Sequence, residues 1–185
     1  MSKSNVDGSE FPLQVWRFTD GKPGHEKQTE GFLHALGERL SLETRSFAIG
    51  SGDGFRRFRH WLFGQFPAGK DYPDPDLLLG AGHRLHFAML TARKARGGLA
   101  MVLMKPSLPL GWFDLSLIPQ HDDPPDSDRV LPTCSALTTV RPSTDKEPKT
   151  GLLLIGGPSS HFDWSDAQVA DRVAKVVAAT EDEGV

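Results

Sequence analysis

The chain has 185 residues, 38% hydrophobic and 24% charged, an ordinary composition for a globular protein. Its 24 acidic and 21 basic residues leave a formal net charge of −3, without the basic excess expected of a general nucleic-acid binder. The single cysteine excludes an intrachain disulfide and a multi-cysteine zinc site, and it fits a reducing cytosol.

The first ten residues are polar and carry no apolar segment of the signal-peptide kind, so residues 1–12 read as a disordered tail. No run approaches the ~20 apolar residues of a membrane span. The expected location is cytoplasmic, with a peripheral contact to the inner membrane left open. Leu13 to Phe18 has strand composition and stops at the turn signal Thr19-Asp20-Gly21. From His25 to Leu40, Phe32, Leu33, Leu36 and Leu40 fall at helical spacing. A short strand is expected at Glu43–Ile49. A glycine-rich loop at 50–54 leads into a helix over Phe55–Phe66.

Within that helix, Phe55 to Phe63 interleaves aromatic and basic residues. The simpler reading is a core-facing stripe of Phe55, Phe58 and Leu62 with the arginines in solvent. The alternative is a segment lying against a membrane surface or receiving a lipid-linked acceptor. Leu77-Leu78-Leu79 is a continuous apolar run, as expected of a strand covered on both faces. A helix over His83–Arg96 follows, with Leu85, Met89 and Ala92 on one side, closed by Gly97-Gly98. Leu99–Met104 and Leu115–Ile118 are the next buried strands.

Strand and helix alternate through short connections, which describes an α/β, Rossmann-like parallel sheet with flanking helices. Residues 13–140 form that domain. Residues 141–150 lose all apolar pattern and read as a linker. Residues 151–185 supply one strand at Leu152–Ile155, a Gly-Gly-Pro-Ser loop and one helix near Ser165–Ala179. Such a unit is too small to bury a core of its own.

Ligands of parallel α/β sheets bind outside the carboxyl ends of the strands, where four unusual loops fall. The first, residues 20–28, offers Gly24, His25, Lys27 and Gln28 at a helix start, where free N–H groups suit an anion. A tight turn of solvated groups is the plainer account of it. The second offers Gly80, Gly82, His83 and Arg84; close helix–strand packing is the plainer account here. The third holds Ser107 between two prolines. The fourth places His121 before Asp122 and Asp123. Adjacent residues on a loop point apart and no His-x-x-x-His partner exists, so no metal is expected. Asp114 reads as a turn anchor and Cys134 as an inert, partly buried residue. Gly156, Gly157, Ser159 and Ser160 have the grammar of a phosphate-binding turn between strand and helix.

Taken in order, residues 20–28, 80–84, 106–109, 113–115, 118–122 and 156–161 form a series. It resembles the mitochondrial-fission ELM-type (elongated mitochondria) family, whose bacterial members are described as glycosyltransferase-like or nucleoside-diphosphate-sugar-related. The resemblance implies a GT-B-like architecture of two Rossmann-like domains across a cleft. The N-terminal half would hold the acceptor and the C-terminal half a nucleotide-sugar donor, with no bound cofactor or metal. It implies His25 as the base or an acceptor contact, and Gly156, Gly157, Ser159 and Ser160 as donor-phosphate contacts. Family members continue beyond this point, so the chain is expected to be incomplete and weakly active or inactive alone. Two alternatives stand beside this: a non-catalytic protein- or membrane-binding module of the same fold, and a nucleoside-diphosphate-sugar epimerase. The epimerase needs an NAD fingerprint and a Tyr-x-x-x-Lys pair, whereas the only tyrosine, Tyr72, precedes Pro73-Asp74-Pro75-Asp76.

Overall fold

A parallel strand cannot pair with its sequence neighbour through a tight turn, so each connection must cross over the sheet. The computed structural model shows this arrangement and describes residues 11–50, 60–145, 147, 150–157 and 163–182. The elements are β1 (Leu13–Thr19), α1 (Pro23–Gly37), β2 (Leu42–Ala48), β3 (Leu77–Ala81), α2 (His86–Arg96), β4 (Leu99–Leu103), β5 (Leu115–Pro119), β6 (Val130–Thr133) and α3 (Asp166–Asp182). All six strands are parallel, in the order β2-β1-β3-β4-β5-β6. In this doubly wound order the chain reverses direction across the sheet between β1 and β3.

Alternation along the strands sorts the core into two layers. Val15, Leu77, Leu79 and Leu103 face one side and meet Phe32, Leu33 and Leu36 of α1. Trp16, Phe18, Leu78 and Val102 face the other and meet Ala88, Met89 and Ala92 of α2. Leu85, Met89 and Ala92 are fully buried, as their spacing predicts. Asp114 is the anchor expected of it: one carboxylate oxygen accepts the Ala100 amide at 2.8 Å and the other accepts from Arg93 at 2.8 Å.

Several elements differ from expectation. α1 stops at Gly37, and Leu40 is 44% exposed beyond it. The helix expected from His83 begins as a 3-10 turn over His83–Leu85, because Gly82 enters at φ +95°. Of the helix expected over Phe55–Phe66, residues 55–59 lie outside the described residues. His60 to Leu62 is helical, and a turn follows in which Gly64 adopts φ +61°. Leu62 is 52% exposed and Phe63 65%, so the described end of the proposed core stripe faces outward.

β6 forms although Pro132 interrupts its apolar run. As an edge strand beside β5 it tolerates the missing N–H. Cys134, expected partly buried, is exposed just past it. Most of the expected N-terminal tail, residues 1–10, lies outside the described residues.

Two compact units divide the chain, Met1–Arg141 and Pro142–Val185. In the second, residues 151–157 belong to no strand. Leu152 to Ile155, expected as one, are 47–87% exposed. Among the described residues this unit offers no partner strand, and a lone strand has nowhere to direct its backbone hydrogen bonds. α3 forms nearly where expected. The Ser165 hydroxyl accepts the Gln168 amide at 3.4 Å at its start, as an N-cap does.

Candidate functional site

Because every strand of the sheet runs the same way, the loops after β1, β3, β4 and β5 emerge along one edge. Side-chain contacts join them in sequence. Asp20, immediately after β1, has a side chain with no solvent exposure. Its carboxylate accepts the Lys22 amide at 3.2 Å and contacts His25 Nδ1 at 3.0 and 3.2 Å. Pro23 opens α1 without needing an N–H partner, and Glu26 reaches back to accept the Gly21 amide at 3.2 Å. His25 is therefore fixed at the first turn of α1 by a buried carboxylate.

The imidazole lies against Gly82, which follows β3. A Cβ built on Gly82 would stand 2.3 Å from His25 Cε1 and 2.4 Å from Nδ1. Glycine is thus required twice, for its positive φ and for the ring's approach. The first two loops meet at the β1/β3 reversal, where doubly wound sheets place their ligands. With Nδ1 directed at Asp20, the tautomer that donates to the carboxylate leaves Nε2 as a proton acceptor.

The third loop joins through a residue that no sequence motif marks. His86 opens α2, is 2% exposed, and has its Nδ1 3.4 Å from Ser107 Oγ, with its ring packed edge-on against Phe113. Burial, and secondarily the nearby charge of His83, push its pKa down to about 4 from the usual 6.5. The only sequence signal was a polar residue on the face that carries Leu85 and Met89. Lys105 then ties the third loop to the fourth, donating to the Asp122 carbonyl at 2.9 Å and the Asp123 carbonyl at 3.3 Å. Met104, at φ +76°, marks the strained exit from β4 beside it.

The buried imidazole has a consequence for stability. Its folded pKa is depressed, so the unfolded chain binds this proton first as pH falls below about 6.5. Stability from neutral His86 is present above that value and is lost as pH falls towards about 4. The full effect is on the order of 3 kcal/mol. Urea unfolding across this window should show stability rising with pH, and a His86→Leu protein should show a shallower slope whatever its absolute stability.

The remaining candidates fall in different places. Gly80 serves packing, since a Cβ there would meet Met89 Sδ at 2.7 Å. His83 and Arg84 are exposed at the same edge, and Gln28 is half-buried on α1. Gly24 has open space where a Cβ would project. Lys27 is turned away to Glu30 at 2.9 Å. His121 is 69% exposed, with Nε2 3.7 Å from Asp122. In the second unit, Gly156 and Gly157 line an open concavity of about 370 Å³ with Trp164, Gln168 and Arg172. Ser159 and Ser160 lie outside the described residues.

A profile of the mitochondrial fission ELM1 family matches residues 23–185. No curated protein and no solved structure matches the chain. The matched span opens at the first turn of α1 and contains His25, Gly82, His86, Ser107, Gly156 and Gly157. The chain belongs to the mitochondrial fission ELM1 family.

Proposed function

We propose that this chain carries the acceptor-side machinery of a sugar transferase that uses a nucleotide-sugar donor, with His25 as the general base. The observation that carries the proposal is the fully buried Asp20 carboxylate holding His25 Nδ1 at 3.0 Å while the ring lies on Gly82 at the reversal of the sheet. A base needs a fixed tautomer and a free acceptor nitrogen, and this arrangement supplies both.

In the proposed reaction, Nε2 takes the proton of an acceptor hydroxyl. The oxygen forms a bond to the anomeric carbon of the donor sugar. The bond from that carbon to the nucleotide's terminal phosphate oxygen breaks, and its electron pair leaves with the nucleoside diphosphate. Gly156 and Gly157 are assigned to the diphosphate, whose charge suits backbone N–H groups that glycine lets a ligand approach closely. His83 and Arg84 are assigned to the acceptor side.

Thermal unfolding with a panel of nucleoside diphosphates tests donor recognition, with a rise in Tm expected for at least one base. Turnover of the corresponding nucleotide sugar should fall by about 10²-fold in His25→Ala. Asp20→Asn should lower turnover while leaving the Tm rise from nucleotide intact. No stabilisation by any nucleoside diphosphate, or undiminished turnover in His25→Ala, refutes the reading.

A further inference from the structure

The geometry points to a second working surface, at the far end of α2 from His86, that docks on the interface of an anionic phospholipid bilayer. Among the described residues no helix is long and apolar enough to cross a membrane, so the contact is peripheral. Trp61, Leu90, Arg93, Lys94 and Trp112 line a concavity of about 340 Å³. Trp61 packs on Phe87 at 5.7 Å, and Lys94 Nζ stands 4.8 Å from the Trp61 ring centre while donating to the Leu62 carbonyl at 3.3 Å. Around this concavity the apolar side chains point outward: Leu62 is 52% exposed, Phe63 65% and Trp112 48%. Two adjacent exposed apolar residues beside indoles match the chemistry of the headgroup–acyl boundary, where tryptophan's apolar body and polar N–H are both accommodated.

Charge selects the partner. From His60 to Lys70 the sequence has no Asp or Glu. α2 likewise has no acidic residue and ends in Arg93, Lys94 and Arg96. Arg93 is paired with Asp114, which also accepts the Ala100 amide, and Arg96 with Asp74, so among the described residues Lys94 is the cation of this helix end that has no carboxylate partner. The patch sets the Lys94 cation beside exposed apolar side chains, a pairing complementary to anionic lipid headgroups over acyl chains. The proposal stands independently of the chemistry at His25.

Co-sedimentation of the full chain with phosphatidylglycerol-rich and pure phosphatidylcholine vesicles tests it. Binding is expected to the first and not the second, weakening with added salt. A Leu62→Ser/Phe63→Ser protein, altered only at exposed positions, should partition at least about tenfold more weakly. Lys94→Gln should weaken binding by about fivefold. The Leu62→Ser/Phe63→Ser protein should retain the parent's thermal unfolding. Equal binding to the two vesicles, or binding to the anionic vesicles unchanged by the double substitution, overturns the proposal. So does no binding to either vesicle; patch-dependent self-association in that case would identify a protein surface instead.

Discussion

A Gly82→Ala protein is expected to lose about 2–6 kcal/mol of stability, which makes a single added methyl one of the most damaging changes available to this fold. Two costs combine. Gly82 sits at φ +95° and ψ 146°, a region that is strained for any residue bearing a Cβ. The new methyl would also occupy the space of the His25 ring, 2.3 Å from Cε1. That ring cannot simply swing aside, because the buried Asp20 carboxylate holds its Nδ1. For a domain of this size the thermal midpoint should fall by on the order of 10 °C.

The two costs separate in a double-mutant cycle. His25→Ala removes the clash but not the backbone strain, so Gly82→Ala should cost less in a His25→Ala background than in the parent. A coupling of about 1–3 kcal/mol is expected, and additive effects would show that the ring does not rest on Gly82.

The contrast between what the sequence showed and what it hid follows from this pair. Leu77-Leu78-Leu79 announced a strand buried on both faces, and the Gly-x-Gly after it announced a loop at the ligand edge. Both are local signals. The contact of His25 with Gly82 joins residues on two different loops, and nothing in either loop specifies the other. Only the strand order, which places β1 beside β3, makes them neighbours. Asp20 lay within the first loop, yet its complete burial is a property of the assembled edge. His86 was hidden for the opposite reason: on a helix face with Leu85 and Met89 its position reads as core, and it is core. The pairing with Ser107 depends on how the β4 exit folds back over α2.

Strand signals failed in two instructive directions. Val130 to Thr133 forms β6 despite Pro132, because an edge position forgives a missing donor. Leu152 to Ile155 has better strand composition and forms none, because pairing is a property of two strands, not one. Composition measures what a segment would do beside a partner.

Trp16→Ala is expected to cost about 3–5 kcal/mol, the range for deleting a large buried aromatic side chain. Trp16 is fully buried at the centre of β1, with Phe47 at 4.9 Å, Phe66 at 5.6 Å and the Arg96 guanidinium 5.8 Å from its ring centre. Its Nε1, however, is buried without a hydrogen-bond partner. An orphaned donor is a standing cost, so Trp16→Phe should be milder than the lost volume implies, at about 1–2 kcal/mol. The outer six-membered ring also explains a glycine elsewhere. A Cβ on Gly69 would stand 2.1 Å from Trp16 Cη2 and 2.6 Å from Cζ3, so Gly69→Ala alone should destabilise by overpacking, by about 1–3 kcal/mol. Phenylalanine lacks both of those atoms. In the Trp16→Phe background the Gly69 methyl would enter vacated space, and the double substitution should be more stable than either single one. Chemical denaturation of the four proteins measures this directly. If Gly69→Ala costs as much beside phenylalanine as beside tryptophan, the indole is not what excludes a side chain at Gly69.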